Sequence, residues 1–245
     1  MLKYDKVYFL HIPKTGGRFF VEYILKPIEK TLKENNIEII KLNDGVNKHG
    51  GWHKDIDDKT YVISVMRDPV EFFVSLVAHM AADQNGLIDD EKDFIIKEKS
   101  KSLNIEKDFL FNQLKELKYL KNFQSQNFIL SPETKSIVVD SRKAYNTNKE
   151  FDDKLAYERI KRVNLMIRHK DLTLMDYNIL INKISNDLEI DIDIDLSSAS
   201  RDHYKNNSSE ILLNKLNEED KKIIYSNFLF DKEIYQNDSL FWKEK

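Results

Sequence analysis

Three short stretches of this chain carry residue types that do chemistry on charged esters. The first is Lys14-Thr15-Gly16-Gly17. Adjacent glycines let the backbone approach an anion with no Cβ in the way. If a helix begins there, its first N–H groups are unpaired and its dipole favours negative charge. Lys14 adds a mobile charge and Thr15 a hydroxyl. Arg18 follows, and a cation at a helix N-terminus is unfavourable unless an anion sits beside it. The second stretch is Arg67-Asp68-Pro69, with Ser75 further along the same segment. The third, between them, is Lys48-His49-Gly50-Gly51-Trp52-His53. A histidine near its ordinary pKa accepts a proton at neutral pH, which is what a hydroxyl nucleophile requires.

The elements that must position these residues can be read from apolar spacing. Val7, Tyr8, Phe9, Leu10 and Ile12 form a β-favouring run that breaks at Pro13. Phe19, Phe20, Tyr23 and Ile24 then follow helical spacing, predicting a helix over 17–35 that Pro27 kinks or splits. Strands are expected at 37–42 and 61–66. Asp68 and Pro69 are suited to the N-cap and first turn of a helix over 69–82. A charged stretch, 83–102, reads as a substrate-facing insertion ahead of an amphipathic helix near 108–123. Further strands are expected at 136–139 and 164–167, and helices at 152–162 and about 172–187. Asn217-Glu218-Glu219-Asp220 opens an acidic helix start that leads on to Ile234. Alternating strands and helices imply an α/β fold with a mostly parallel, doubly wound sheet. Arg67 then leaves the C-terminal end of a parallel strand, where open α/β sheets bind ligands, and Ser75 lies about two helical turns on.

Composition narrows the class. The 245 residues, 41% hydrophobic and 33% charged, suit a single domain over 1–245. A net charge of −3 gives no general attraction to nucleic acid or to an acidic membrane. With no cysteine, neither disulfides nor thiolate metal sites form. No apolar run reaches the roughly 18–20 residues of a membrane span, and no signal peptide precedes the first strand, so a cytoplasmic protein is expected. No dense His/Asp/Glu cluster suggests a metal.

The phosphate loop of nucleoside triphosphatases, G-x-x-x-x-G-K-[ST], places its glycines before the lysine, and here the order is reversed. The dinucleotide fingerprint G-x-G-x-x-G is absent too. The words His11-Ile12-Pro13-Lys14-Thr15-Gly16-Gly17 instead resemble the 5′-phosphosulfate loop of sulfotransferases that use 3′-phosphoadenosine 5′-phosphosulfate (PAPS). The likeness is to the branch that includes heparan sulfate 2-O-sulfotransferases and bacterial carbohydrate sulfotransferases. Arg67-Asp68-Pro69 with Ser75 resembles that family's 3′-phosphate element. The likeness is specific at these two places and spans most of the chain more loosely.

The resemblance implies a P-loop-like α/β sulfotransferase fold and PAPS as co-substrate, leaving as adenosine 3′,5′-bisphosphate, with no metal. It assigns Lys14, Thr15, Gly16, Gly17 and Arg18 to the 5′-phosphate, and Arg67 and Ser75 to the 3′-phosphate. Lys14 would also neutralise charge as the S–O bond breaks. His49, with Trp52 shortly after it, matches the family's base; His53 is the reserve. His11 is read as orienting the loop or packing beside it rather than as the base. Asn122–Gln126 is similar to a polar segment bordering the acceptor site. Ser200, Arg201 and Tyr204, with Asp231 and Tyr235, are similar to a C-terminal cluster that closes over the nucleotide. Two departures stand out: Gly50 and Gly51 replace bulkier residues after the histidine, and Arg18 replaces a small Thr or Ser. The acceptor expected is the hydroxyl of a carbohydrate or small molecule. The rivals are a kinase with a variant phosphate loop and a nucleotide-binding module without a base.

Overall fold

A computed structural model describes residues 2–40, 51–84, 88–89, 95–96, 103–116, 121–129, 151–194, 196 and 207–243. Its strands are β1 (Lys6–Leu10), β2 (Glu38–Ile39), β3 (Thr60–Met66), β4 (Ile88–Asp89), β5 (Ile95–Ile96) and β6 (Leu165–Arg168). Four of them form one parallel sheet in the order β2-β1-β3-β6. Every residue of β3 and β6 is buried, as expected of parallel strands covered on both faces by helices. The chain is therefore α/β, with a parallel sheet flanked by helices. From β1 it steps to one side to make β2, then crosses to the other side to make β3. That reversal leaves a crevice beyond the C-terminal ends of β1 and β3, the usual ligand position in open α/β sheets.

Helix α1 (Gly17–Phe20) follows the β1 turn and runs through a π-helical turn, Val21–Leu25, into α2 (Lys26–Glu34). The π turn explains how Pro27 is accommodated. Proline has no N–H to return to the preceding turn; the Lys26 N–H reaches back to the Val21 carbonyl instead, and Pro27 falls in the first turn of α2.

Helix α3 (Pro69–Gln84) begins as its cap predicts: Asp68 Oδ1 accepts from the N–H groups of Val70 (2.9 Å) and Glu71 (3.2 Å). Phe72, Phe73, Leu76 and Val77 are fully buried, so α3 is the centre of a second core rather than a surface helix. Around it lie α4 (Lys107–Glu116), α9 (Asn207–Asn214) and α10 (Glu218–Asn227).

Several expectations change. The segment 172–187 is two helices, α7 (His169–Leu174) and α8 (Tyr177–Leu188), separated by Met175 and by Asp176, which caps α8 through the Asn178 N–H. The final helix breaks at Phe228 into α10 and α11 (Leu229–Gln236). The polar run Asn122–Gln126 is not a loop, because α5 (Phe123–Ile129) begins within it; α6 (Asp153–Lys161) packs beside it. The expected strand at 136–139 and most of the insertion at 83–102 lie outside the described residues; within the latter, β4 and β5 pair antiparallel.

Helices α5 and α11 cap one another. Asp231 Oδ2 and Oδ1 accept from the N–H groups of Gln124 (3.0 Å) and Ser125 (2.8 Å) at the start of α5. In return Asn122 Oδ1 accepts from the Phe230 N–H (3.0 Å) and, at 3.5 Å, from that of Asp231. Four of the N–H groups that helix starts leave unpaired are satisfied by this exchange. Asp231 is fully buried, and burial pushes its carboxyl up to about 6 despite the two amides. A raised carboxyl favours the fold below its unfolded value and loses that contribution as pH rises through the folded one. Asp231→Asn does not titrate, so wild-type stability relative to it should fall by about 3 kcal/mol between pH 4 and 7. Urea denaturation at several pH values measures this, and a difference that does not vary with pH would refute it.

Candidate functional site

The turn after β1 is shaped by three local constraints. Lys14 has φ 63° and Gly16 φ 86°, both in the left-handed region. Glycine adopts that region freely, whereas a lysine held there costs about 1–3 kcal/mol. Thr15 is fully buried, and its Oγ1 donates to the Ile12 carbonyl (2.8 Å), closing the turn on itself. The Phe20 N–H returns to the Gly16 carbonyl (3.1 Å), which starts the helix at once.

Gly17 is required for a different reason. A Cβ there would lie 1.9 Å from His11 Cδ2 and 2.2 Å from its Nε2. The imidazole is 5% exposed and stacks on Phe9 with centroids 5.6 Å apart. His11 is therefore a packing element under the turn, as the sequence reading assigned it.

Beyond β3, the Arg67 guanidinium turns toward the same place. Its Nη1 donates to the Lys14 carbonyl (3.4 Å) and its Nε to Glu71 Oε2 (3.2 Å). Of the five N–H donors of an arginine this uses two, leaving three. Burial and the neighbouring Arg67 charge pull the Lys14 ammonium down to about 8. Among the described residues no carboxylate offsets that charge. Burial also lowers Arg67, opposed by Glu71 and Asp68. Two cations held together, with Glu71 bonded to Arg67 and Asp68 close to it but no carboxylate at Lys14 among the described residues, make a candidate anion site.

The surroundings fix this pair. Asp68 Oδ2 accepts from the Tyr225 hydroxyl (2.7 Å), tying the start of α3 to α10. Tyr235 lies close enough to Asp68 and Glu71 for their charges, after burial, to raise its phenol. At the end of β6, Arg168 donates from Nε and Nη2 to the Tyr235 carbonyl (3.1 and 2.9 Å) and from Nη2 to Asp238 (2.8 Å). Arg168 thus locks α11 to the sheet. Ser75 is buried in α3 at 8% exposed.

The residues read from sequence are therefore partly brought together. Lys14, Thr15, Gly16, Gly17 and Arg67 share one end of the sheet. The His53 Nδ1 accepts from the Asp55 N–H (3.2 Å), and its ring lies 6.1 Å from Tyr8. Trp52 is buried, with the guanidinium carbons of Arg159 and Arg162 5.5 and 5.4 Å from its ring. His49, Ser200, Arg201 and Tyr204 lie outside the described residues, as does the Arg18 side chain. Glu71 was missed, and Gln124 was read only as part of a polar segment bordering the acceptor site; no local pattern marks a glutamine whose partner is a distant backbone. Among the described residues no group of His, Asp and Glu is gathered as metal ligands, and no helix is long and apolar enough to cross a membrane. No protein-family model, curated protein or solved structure matches the chain.

Because His11 occupies the space over Gly17, Gly17→Ala should destabilise the fold by about 1–3 kcal/mol. The loss should be non-additive with His11→Ala, the double variant being more stable than the two single losses together imply. Chemical denaturation of the four proteins tests this; strict additivity would mean that the imidazole does not set the requirement.

Proposed function

We propose that this chain is a sulfotransferase that moves a sulfuryl group from PAPS to a hydroxyl of a carbohydrate or small molecule. The observation that carries the reading is the meeting of Lys14 and Arg67 at the topological reversal of a parallel sheet. They come from the two stretches that resemble the family's 5′- and 3′-phosphate elements. A ligand with phosphates at two separated positions suits two cations on two different strand ends. The short β1 turn, opening directly into a helix, offers backbone N–H groups to the first phosphate. The unused guanidinium donors of Arg67 and the buried Ser75 hydroxyl are available to the second.

In this reading the acceptor oxygen attacks sulfur in line. Its proton passes to the base, for which His49 is the candidate. The S–O bond to the 5′-phosphate breaks, and its electron pair stays with the departing adenosine 3′,5′-bisphosphate. Lys14 stabilises the charge left on that phosphate, and the chemistry needs no metal. The depressed Lys14 ammonium has a consequence for binding. Above pH 8 the free protein loses that proton, so an anion must recover it in order to bind with full strength.

Adenosine 3′,5′-bisphosphate should raise the melting temperature, with affinity falling as pH rises from 7 to 9. Lys14→Arg should flatten that decline. Lys14→Gly, which suits the backbone angle, should abolish binding without loss of stability. Transfer of sulfur-35 from labelled PAPS to an acceptor panel should drop about a hundredfold or more in Lys14→Gly and His49→Ala. Stabilisation by ATP–Mg²⁺ but not by the bisphosphate would overturn the donor assignment and favour a kinase. Bisphosphate binding with no transfer to any acceptor would favour a binding module.

A further inference from the structure

Four consecutive polar residues of α5, Gln124, Ser125, Gln126 and Asn127, are buried, which is unusual for a helix of this length. One of them is matched to the anion site. Gln124, fully buried, accepts from the Arg67 N–H through Oε1 (2.8 Å) and donates to the Arg67 carbonyl through Nε2 (2.8 Å). Its primary amide pairs with the peptide groups of one residue as a neighbouring strand would.

That residue is where β3 ends. Met66 is the last to pair with β6, so the sheet ladder supplies no partner to the backbone of Arg67. A buried N–H and C=O at such a place must be met by something else. The partner is itself fixed: the Gln124 N–H is held by Asp231, and the α5–α11 cap exchange fixes the helix start. A connected path of short bonds therefore leads from α11, through the α5 start and the Gln124 amide, to the backbone that carries the Arg67 guanidinium.

We infer that Gln124 is the positioning residue of the anion site: its two-point clasp on the Arg67 backbone aims the guanidinium at the Lys14 turn. Its role rests on the anion-site reading above, but not on PAPS being the anion. Only an uncharged group with one acceptor and one donor fulfils it. A carboxylate would accept from the Arg67 N–H but would set its second oxygen against the Arg67 carbonyl. A protonated carboxyl has one acceptor and one donor and restores both bonds. The charged and titratable groups on the elements packed there include Arg67, Asp68 and Glu71 at the start of α3, Tyr225 on α10, Asp231 and Tyr235 on α11, and Arg159 on α6.

The test uses the full chain and two readouts, after circular dichroism shows each variant folded. The first is affinity for adenosine 3′,5′-bisphosphate; the second, which needs no ligand, is the titration of Lys14 followed by its ¹³Cε resonance. Gln124→Met, a near-isostere without the amide, should weaken affinity about tenfold and move the Lys14 titration upward as Arg67 drifts away. The affinity loss should vanish in an Arg67→Met background. Gln124→Glu should be equally weak at pH 7 and approach wild type, compared at the same pH, as the medium falls to pH 5. It also serves as the folded variant should Gln124→Met not fold. Wild-type affinity and Lys14 titration in Gln124→Met, an undiminished loss in the Arg67→Met background, or no recovery of Gln124→Glu at pH 5 would each overturn the role. Should the wild type not bind the bisphosphate while Gln124→Met still moves the Lys14 titration, the donor assignment fails and the positioning role stands.

Discussion

Two like charges held together at the ends of adjacent strands are the constraint around which this protein is built. Lys14 and Arg67 repel, burial weighs on both, and among the described residues Glu71 is the carboxylate paired with Arg67. Left to itself such a pair would move apart into solvent. Here it is prevented from doing so on every side. The lysine sits on a left-handed backbone that its turn enforces, the turn is locked by Thr15, and the helix behind it is pressed against His11. The arginine leaves a strand end clasped by Gln124 and is followed by a helix whose cap, Asp68, is bound to Tyr225. Repulsion held in place is a preformed demand for an anion, because binding one relieves it without reorganisation.

The restraints come from far along the chain, for a topological reason. Parallel strands end abruptly, and the groups just beyond the ladder must find partners that the sheet does not provide. At β3 the partner is an amide 57 positions away in sequence; at β6, Arg168 reaches 67 positions to the Tyr235 carbonyl. The C-terminal helices therefore do more than cover the sheet. They complete its end. The backbone N–H of Trp242 adds a bond to the Met166 carbonyl (2.9 Å), sealing β6 in the same way.

What could be read in the sequence follows from how local each cause is. The β1 turn was legible because Lys14, Thr15, Gly16 and Gly17 act within a few residues, and Asp68 because an N-cap acts within one turn. Strands β1, β3 and β6 were legible as apolar runs buried on both faces. Helix α5 was not, because its polar side chains imitate a loop; their burial depends on Asp231 and on the Arg67 backbone, both remote. The break at Phe228 was hidden too, since Ile223, Ile224, Phe228 and Ile234 keep helical spacing across it. Asp68 was read as a cap, but its bond to Tyr225 was invisible.

The placement of Asp231 shows how the charges are kept apart. A buried carboxylate ordinarily pairs with a cation, and such pairing is the usual way to bury either. Arg67 already carries Glu71, and a second carboxylate bonded to it would weaken its attraction for an anion further. Instead Asp231 is directed at the amides that begin α5, where the helix dipole is positive. Gln124 links the two through its backbone N–H to Asp231 and its side-chain amide to the Arg67 backbone, passing on position without passing on charge. Burial without an ion pair is costly, and the raised carboxyl of Asp231 and lowered ammonium of Lys14 are the two ends of that cost. A fold selected for stability alone would join the charges; one that must leave two cations available has to separate them, and a glutamine is the side chain that does so while keeping both strand-end bonds.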